Sequence, residues 1–462
     1  MDTRLRSARI IAYLIIYGCG IFPSISQSWN LHTVLDQSLK NFPSIKARSA
    51  DISSAREELS LSTFDYLPKL ALQHQFTLGT NNGIAGSFYP NPAVINPSGG
   101  IRAENSATAA WGSLTSVLVE WNVFNFGKIN ANKEAAIAYL DQTKAAYEQE
   151  LFQYQVYAAD AYLQTLIAEK LNSIQQANLE RAFYFRQAVD AGVRSGLRPG
   201  VDSSLAHAEY VKASLLLLES KKHTQAQLYR LAELMGGSDQ DILLIDSMKF
   251  FTALPVTANT NDNEKHPLLE YYRSKVNATQ SRSIAIKKSI IPSVTLIGAA
   301  WARGSGISPK DDSFETGFIS GTQYQVYNYL LGISARWTLT DFISVKHRFQ
   351  SEKYKALKDQ EYYQEQVIKV QRQRKETSNQ YEVALQQAQT APIQLRAAQQ
   401  AYQQANARYK SGLSDLPTIL QSILTLNRAE ADLAISYSNV WRSLLAIAAA
   451  KGDLSIFLQA IN

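Results

Sequence analysis

The chain contains one pattern twice, and this duplication limits the folds open to it. An offset of 224 in the numbering carries Pro43 onto Pro267 and Pro68 onto Pro292. Farther along the offset becomes 216. It then carries Trp121 onto Trp337, Phe126 onto Phe342, Ser195-Gly196 onto Ser411-Gly412, Ala213 onto Ala429 and Gly236 onto Gly452. One eight-residue indel between Pro68 and Trp121 accounts for the change. Such a unit is far too long for a solenoid and occurs only twice, so the two halves build one large body with pseudo-symmetry.

The N-terminus reads as an export signal. Arg4, Arg6 and Arg9 precede an apolar run from Ile10 to Phe22, too short to span a bilayer comfortably. Ser24-Ile25-Ser26 supplies small residues for cleavage, so residues 1–26 are expected to be removed and the mature chain to begin near Gln27. The single cysteine, Cys19, lies inside the run. It is either an ordinary residue of a discarded signal or a lipidation site, although Tyr17 is bulky for the latter. In the first case no disulfide or thiol chemistry is left. No later run of 18 apolar residues occurs, which leaves secretion, the periplasm or insertion as a β-barrel.

Each copy follows one plan: helix, strand, loop, strand, very long helix, tight turn, helix. The copies span 27–236 and 266–462, with a polar linker over 237–265. Leu31 to Phe64 is helical in pattern and ends before Pro68. Alternation then predicts strands at about 70–79 and 113–123, and in the second copy at about 293–302 and 327–340. Leu70, Leu72, Phe76 and Leu78 share one face, which His74 interrupts. Thr115, Val117, Val119, Trp121 and Val123 share another. Strands of about ten alternating residues suit a membrane barrel, and Trp121, Trp337, Tyr327 and Tyr329 near their ends suit interfacial girdles. Four strands cannot close a barrel. They either join partner chains or form an ordinary exposed sheet.

No glycine or proline occurs from Lys128 to Ala191, enough for a helix of roughly 90 Å. Leu140, Tyr147, Tyr154 and Ala161 recur every seven residues, and Phe152, Ala159 and Leu166 form a second seam. Two seams predict neighbours on both sides, a wall of helices. Ser344 to Ser411 repeats the long stretch, with a kink expected at Pro392. Tight turns follow at about 192–202 and 409–417. Gly196 and Gly412 can take the left-handed conformation that ends a helix, and Asp202 and Asp415 can cap the returning helices.

Enzymatic constellations are missing. His207 and His223 stand alone in helical segments, and Glu57-Glu58 reads as a solvated helix face. There is no phosphate-cradling loop or nucleophile elbow. No catalytic residue, cofactor or metal site is expected. The net charge of +6 is dispersed, which argues against nucleic acid as a partner.

Taken together, these features resemble the TolC family of outer-membrane efflux proteins, with Tyr409-Lys410-Ser411-Gly412 as the most specific local match. The resemblance implies a mainly α fold with a small membrane β-barrel. In that family a homotrimer forms one 12-stranded barrel, continued by an α-helical tunnel across the periplasm. It also implies a passive duct in the bacterial outer membrane, surrounded by its lipid and serving tripartite efflux or type I secretion. A periplasmic adaptor and an inner-membrane pump of the RND or ABC type would open its periplasmic tip. At that tip the family uses a tyrosine and an aspartate to tie the inner helix pair. Tyr409 and Asp202 match these positions. An arginine that joins the link is replaced by Ser414, while Arg198 holds the equivalent place in the first copy. Aspartates that narrow the pore in some members are replaced by Thr418 and Gln421, which makes a strongly cation-binding constriction unexpected. Adaptor docking falls on Ser195, Gly196 and Leu197, and on Ser411, Gly412 and Leu413. The rival reading is an exported long-helix coiled coil with a small sheet and no channel.

Overall fold

Proline sets the first boundary. The computed structural model describes residues 28–83, 104–237, 243–244, 247–255, 265–308 and 310–461. The segment read as an export signal, with Cys19, lies outside them. Instead of one helix from Leu31 to Phe64, there are two, α1 (Leu31–Asn41) and α2 (Pro43–Phe64). Phe42 between them is extended, with φ −72° and ψ 126°. The ring of Pro43 disfavours the helical conformation at the residue before it.

The remaining helices are α3 (Lys128–Arg194), α4 (Gly200–Leu234), α5 (Ser247–Thr252), α6 (Pro267–Lys288), α7 (Phe318–Thr322), α8 (Asp341–Lys410), α9 (Leu416–Lys451) and α10 (Ser455–Ile461). The strands are β1 (Ser28–Trp29), β2 (Lys69–Gly79), β3 (Ala110–Phe124), β4 (Leu243–Leu244), β5 (Ser293–Ser305) and β6 (Val326–Arg336). The chain divides into two units. One is built from residues up to 49, 146–270 and 365 onward, and the other from 50–145 and 271–364.

The second unit holds a four-stranded antiparallel sheet in the order β2-β3-β5-β6. Its register keeps the duplication. Leu72 faces Val117 in the first hairpin, and Leu296 faces Ile333 in the second. These pairs are related by the two sequence offsets, 224 on one strand and 216 on the other. A side-chain bond repeats in the same way. Trp121 Nε1 donates to the Tyr66 carbonyl at 3.0 Å, and Trp337 Nε1 donates to that of Ile290 at 3.1 Å. Each indole thus satisfies a carbonyl just past the end of the preceding helix. β6 stops at Arg336, short of the expected 340. Arg336 pairs with Ser293, and Pro292 before it has no N–H to extend the ladder.

The first unit is helical, with β1 and β4 paired in parallel. Its core gathers Trp29, Tyr162, Leu166, Leu231, Trp441 and Phe457. Phe250 of α5 packs edge-on against Trp441 at 5.0 Å between ring centroids, so the segment expected to be a linker contributes to the core. Trp441 Nε1 donates to the Ala253 carbonyl at 3.2 Å. On α3 the first seam is buried at Leu140, Tyr154 and Ala161, and Tyr154 donates to the Leu234 carbonyl at 2.6 Å. α8 carries the same seam, displaced by the second sequence offset. Ala356, Val370 and Thr377 are its buried members, followed every seven residues by Ala384, Ala391, Ala398 and Ala405. α8 is continuous through Pro392.

His266 is buried beside α9. Its Nε2 meets the Ala449 carbonyl at 3.2 Å, and its Nδ1 accepts from the Leu268 amide at 3.2 Å. Burial, and then the charge of Arg374, push the imidazole pKa down, against the bond to Ala449. The neutral ring therefore fits and the cation does not.

Two outcomes are expected. Trp441→Ala removes a side chain only 1% exposed and leaves a cavity, costing about 3–5 kcal/mol, readable as a lower denaturant midpoint. Thermal stability also falls as pH drops below about 6.5, because the unfolded chain takes up the His266 proton first. The drop is smaller in His266→Gln, and an equal drop in both proteins would contradict the assignment.

Candidate functional site: the two helix turns

The two turns are copies in backbone and side chain. α3 ends with Gly196 at φ +73°, and α8 ends with Gly412 at φ +73°. In the first turn Leu197 N donates to the Gly192 carbonyl at 2.9 Å, and Gly196 N to that of Val193 at 3.0 Å. In the second, Leu413 N donates to the Arg408 carbonyl at 2.8 Å, and Gly412 N to that of Tyr409 at 3.1 Å. This is the Schellman ending, which satisfies the last carbonyls and needs a left-handed residue. Ser195 and Ser411 each back-bond one turn, to Ala191 and Ala407, both at 3.0 Å. Leu197 and Leu413 project into solvent at 79% and 70% exposure.

The exits from the turns differ. Asp415 caps α9 by accepting from the Thr418 amide at 3.3 Å, and it also accepts from the Thr418 hydroxyl. The Thr418 bonds hold the Asp415 carboxyl below its usual range. In the first copy the cap position is Pro199, with no side-chain bond, and α4 begins at Gly200. Asp202 therefore does not cap. It lies in the first turn of the helix, where a carboxylate still favours the helix dipole.

Free of a capping role, Asp202 meets Tyr409. The tyrosine hydroxyl donates to Asp202 Oδ2 across a long 3.4 Å. Burial first, and then the Asp202 charge, push the phenol pKa up, so the hydroxyl keeps its proton as donor. Arg198 holds the same ring from another side. Its guanidinium stands 4.2 Å from the Tyr409 ring centroid and donates to the Tyr409 carbonyl. Gly192 makes room for this, since a Cβ there would lie 3.1 Å from Arg198 Cγ. Tyr409 is buried in a small cluster with Val189, Ala206, Ala405, Leu416, Ile419 and Ile423. Phe185 lies 5.5 Å from its ring.

The structure thus brings Asp202, Arg198 and Tyr409 together. Ser414 is half-buried, and Thr418 and Gln421 are exposed on α9. Two contacts here had no signal in the sequence: Asp190 accepting from Ser203 at 2.7 Å, and the bidentate pair Arg181–Glu430 at 2.7 and 2.6 Å. The aromatics singled out for a membrane interface fall at opposite ends of the strands. Trp121 and Trp337 lie toward the helices, and Tyr327 and Tyr329 lie at the start of β6.

One face of the sheet is largely apolar and, over most of its length, exposed. Leu70, Leu72, Val117, Trp121, Leu331 and Ile333 all stand on it and are exposed. The other face carries Gln73, Gln75, Glu120, Asn122, Asn328 and Arg336. Among the described residues no helix is long and apolar enough to cross a membrane.

The model of the outer membrane efflux protein family matches residues 34–237 and 264–453. No individually curated protein sequence matches the chain. The fold is similar to that of the outer membrane protein VceC from Vibrio cholerae, at 15% identity and a TM-score of 0.72, over 92% of this chain and 96% of that one. It is also similar to the CmeC outer membrane channel of Campylobacter jejuni, at 14% identity and 0.73, over 91% and 85%. The open state of the MtrE outer membrane channel of Neisseria gonorrhoeae gives 17% identity and 0.70, over 92% and 89%. The two family-matched segments take in both turns and all four strands of the sheet, and the chain belongs to the outer membrane efflux protein family.

Proposed function

We propose that three copies of this chain form an exit duct of the outer membrane, closed at rest by the two helix turns of each copy. The protein is a passive channel and not an enzyme. The observation that carries the reading is the sheet. It has an exposed apolar face, a polar opposite face and two outer strands, β2 and β6, each 11 residues long. Long apolar edge strands left unpaired would aggregate. Three copies joined edge to edge pair every one of them and turn the apolar face to lipid. The coiled-coil alternative has no use for such a face.

Transport through such a duct needs a water-filled path and a movable closure. The inner-membrane pump supplies the energy, and a periplasmic adaptor links the two. We assign the closure to Asp202, Arg198 and Tyr409, which fasten the first-copy turn to the end of α8. The exposed Ser195-Gly196-Leu197 and Ser411-Gly412-Leu413 turns are the adaptor's docking points. Ser414, where the family places a further arginine, leaves that part of the link to Arg198. Thr418 and Gln421 leave the narrowest ring without carboxylates, so weak cation selectivity is expected.

Single-channel recording in a planar bilayer tests the closure. Each tie contributes about 1–1.4 kcal/mol, so a substitution raises the open-to-closed ratio about five- to tenfold for each of the three copies. Asp202→Ala, Tyr409→Phe and Arg198→Ala are each expected to raise the small conductance of the natural chain. Unchanged conductance in all three would remove the closure from these residues. The trimer is tested separately, since an unheated outer-membrane sample should migrate as a trimer and a boiled one as a monomer.

A further inference from the structure

The apolar face of the sheet has a polar notch. On β3 the outward residues Trp121, Val119 and Val117 are apolar, but Thr115 and Ser113 follow. On β2 the notch falls at His74, which pairs with Thr115. From Phe124 to Val117 the apolar stretch is about 20 Å along the strand, or about 16 Å of height at a tilt of about 40°, against an apolar band about 25 Å tall. On β6 the outward run from Ile333 to Tyr327 is of similar length, about 20 Å along the strand, and no polar residue interrupts it.

The notch is covered by α7, part of the connection from β5 to β6. Phe318 packs at 5.0 Å from the Trp111 ring and 5.6 Å from that of Phe76. Ser113 donates to the Thr322 carbonyl at 3.1 Å. Thr115 Oγ1 lies between His74 Nδ1 at 2.6 Å and the Tyr324 hydroxyl at 2.5 Å. Two glycines make the seat. A Cβ on Gly304 would lie 2.3 Å from the Gln323 carbonyl oxygen, and one on Gly321 would lie 2.3 Å from Trp111 Cβ. The outer surface of α7 is apolar, with Ile319 79% exposed and Phe318 half exposed. Lys310, Asp311 and Asp312 precede it in the same connection.

We propose that α7 is a membrane-seated segment, resting on the outside of the barrel wall with Phe318 and Ile319 among the acyl chains just below the outer-leaflet headgroups. The inference rests on the barrel reading above. The occupant is lipid, because the surface of α7 continues the apolar sheet face where that face fails. The polar groups beneath are satisfied, Ser113 by α7 and Thr115 by His74 and by Tyr324 just past α7, as a lipid-facing site requires. α7 lies mainly on the inner strands β3 and β5, and it touches β2 through the face of Phe76 and not along that strand's outer edge.

Site-directed labelling in proteoliposomes tests this. The chain has a single cysteine, Cys19, and the unsubstituted protein supplies its background. Ile319→Cys, Leu72→Cys and Leu197→Cys are each labelled with an environment-sensitive fluorophore. The three parent side chains are similarly exposed, at 79%, 75% and 79%. Quenching is compared between lipids spin-labelled high on the acyl chain and iodide in the buffer. The Ile319 label should lose more than about half its emission to the shallow lipid quencher and little to iodide. The Leu72 label should also respond to lipid, and the Leu197 label to iodide alone. If Ile319 follows Leu197 while Leu72 follows lipid, the seating of α7 is overturned and the barrel stands. If Leu72 also follows iodide, the barrel reading falls and this inference falls with it.

Discussion

A buried heptad stripe recurs on the two longest helices, and the helical part depends on it. The stripe runs through Leu140, Tyr154, Ala161, Ala168, Ala182 and Val189 on α3, and all six are buried. It recurs on α8 at Ala356, Val370, Thr377, Ala384, Ala398 and Ala405, each carried over by the offset of 216 and each buried. A repeat of seven keeps one face of a helix turned to its neighbour over many turns. Neither helix has a strong apolar face in the usual sense. Long, polar, alanine-seamed helices are stable only when packed, and the duplicated stripe provides that packing twice.

Features that depend on period were legible in the sequence. Alternation located the strands, and their sheet pairing then followed the same two offsets that relate Trp121 to Trp337 and Pro68 to Pro292. Glycine located the turns, because a left-handed residue is required at Gly196 and Gly412. The seam on α3 was visible through its large residues. The one on α8 was harder to see, since alanine is as common on solvated helix faces as in seams.

Features that depend on a single neighbour were not legible. Phe42 breaks the first helix only because Pro43 follows it. Asp202 has the residue type of a helix cap, but Pro199 holds that position and the carboxylate turns to Tyr409. Arg198 was visible only as a residue at a matching position. Its stacking on Tyr409 is eased by the missing side chain of Gly192, which like Arg198 stands in the first copy, far from Tyr409 along the chain. α7 had no periodic signal, because five residues are too few to show one.

The difference between the two turn exits has a further consequence. Nearly everything else in the two copies repeats, down to the serine back-bonds and the tryptophan bonds to the preceding helix ends. A ring of such chains would be close to sixfold in much of its fabric and threefold where the copies part, as where Arg198-Pro199-Gly200 stands in place of Ser414-Asp415-Leu416. Broken symmetry of this kind gives a ring of joints two classes, one able to yield while the other holds. Gene duplication supplied two matching helix pairs in each chain, and divergence over a few residues gave one of them a different hinge.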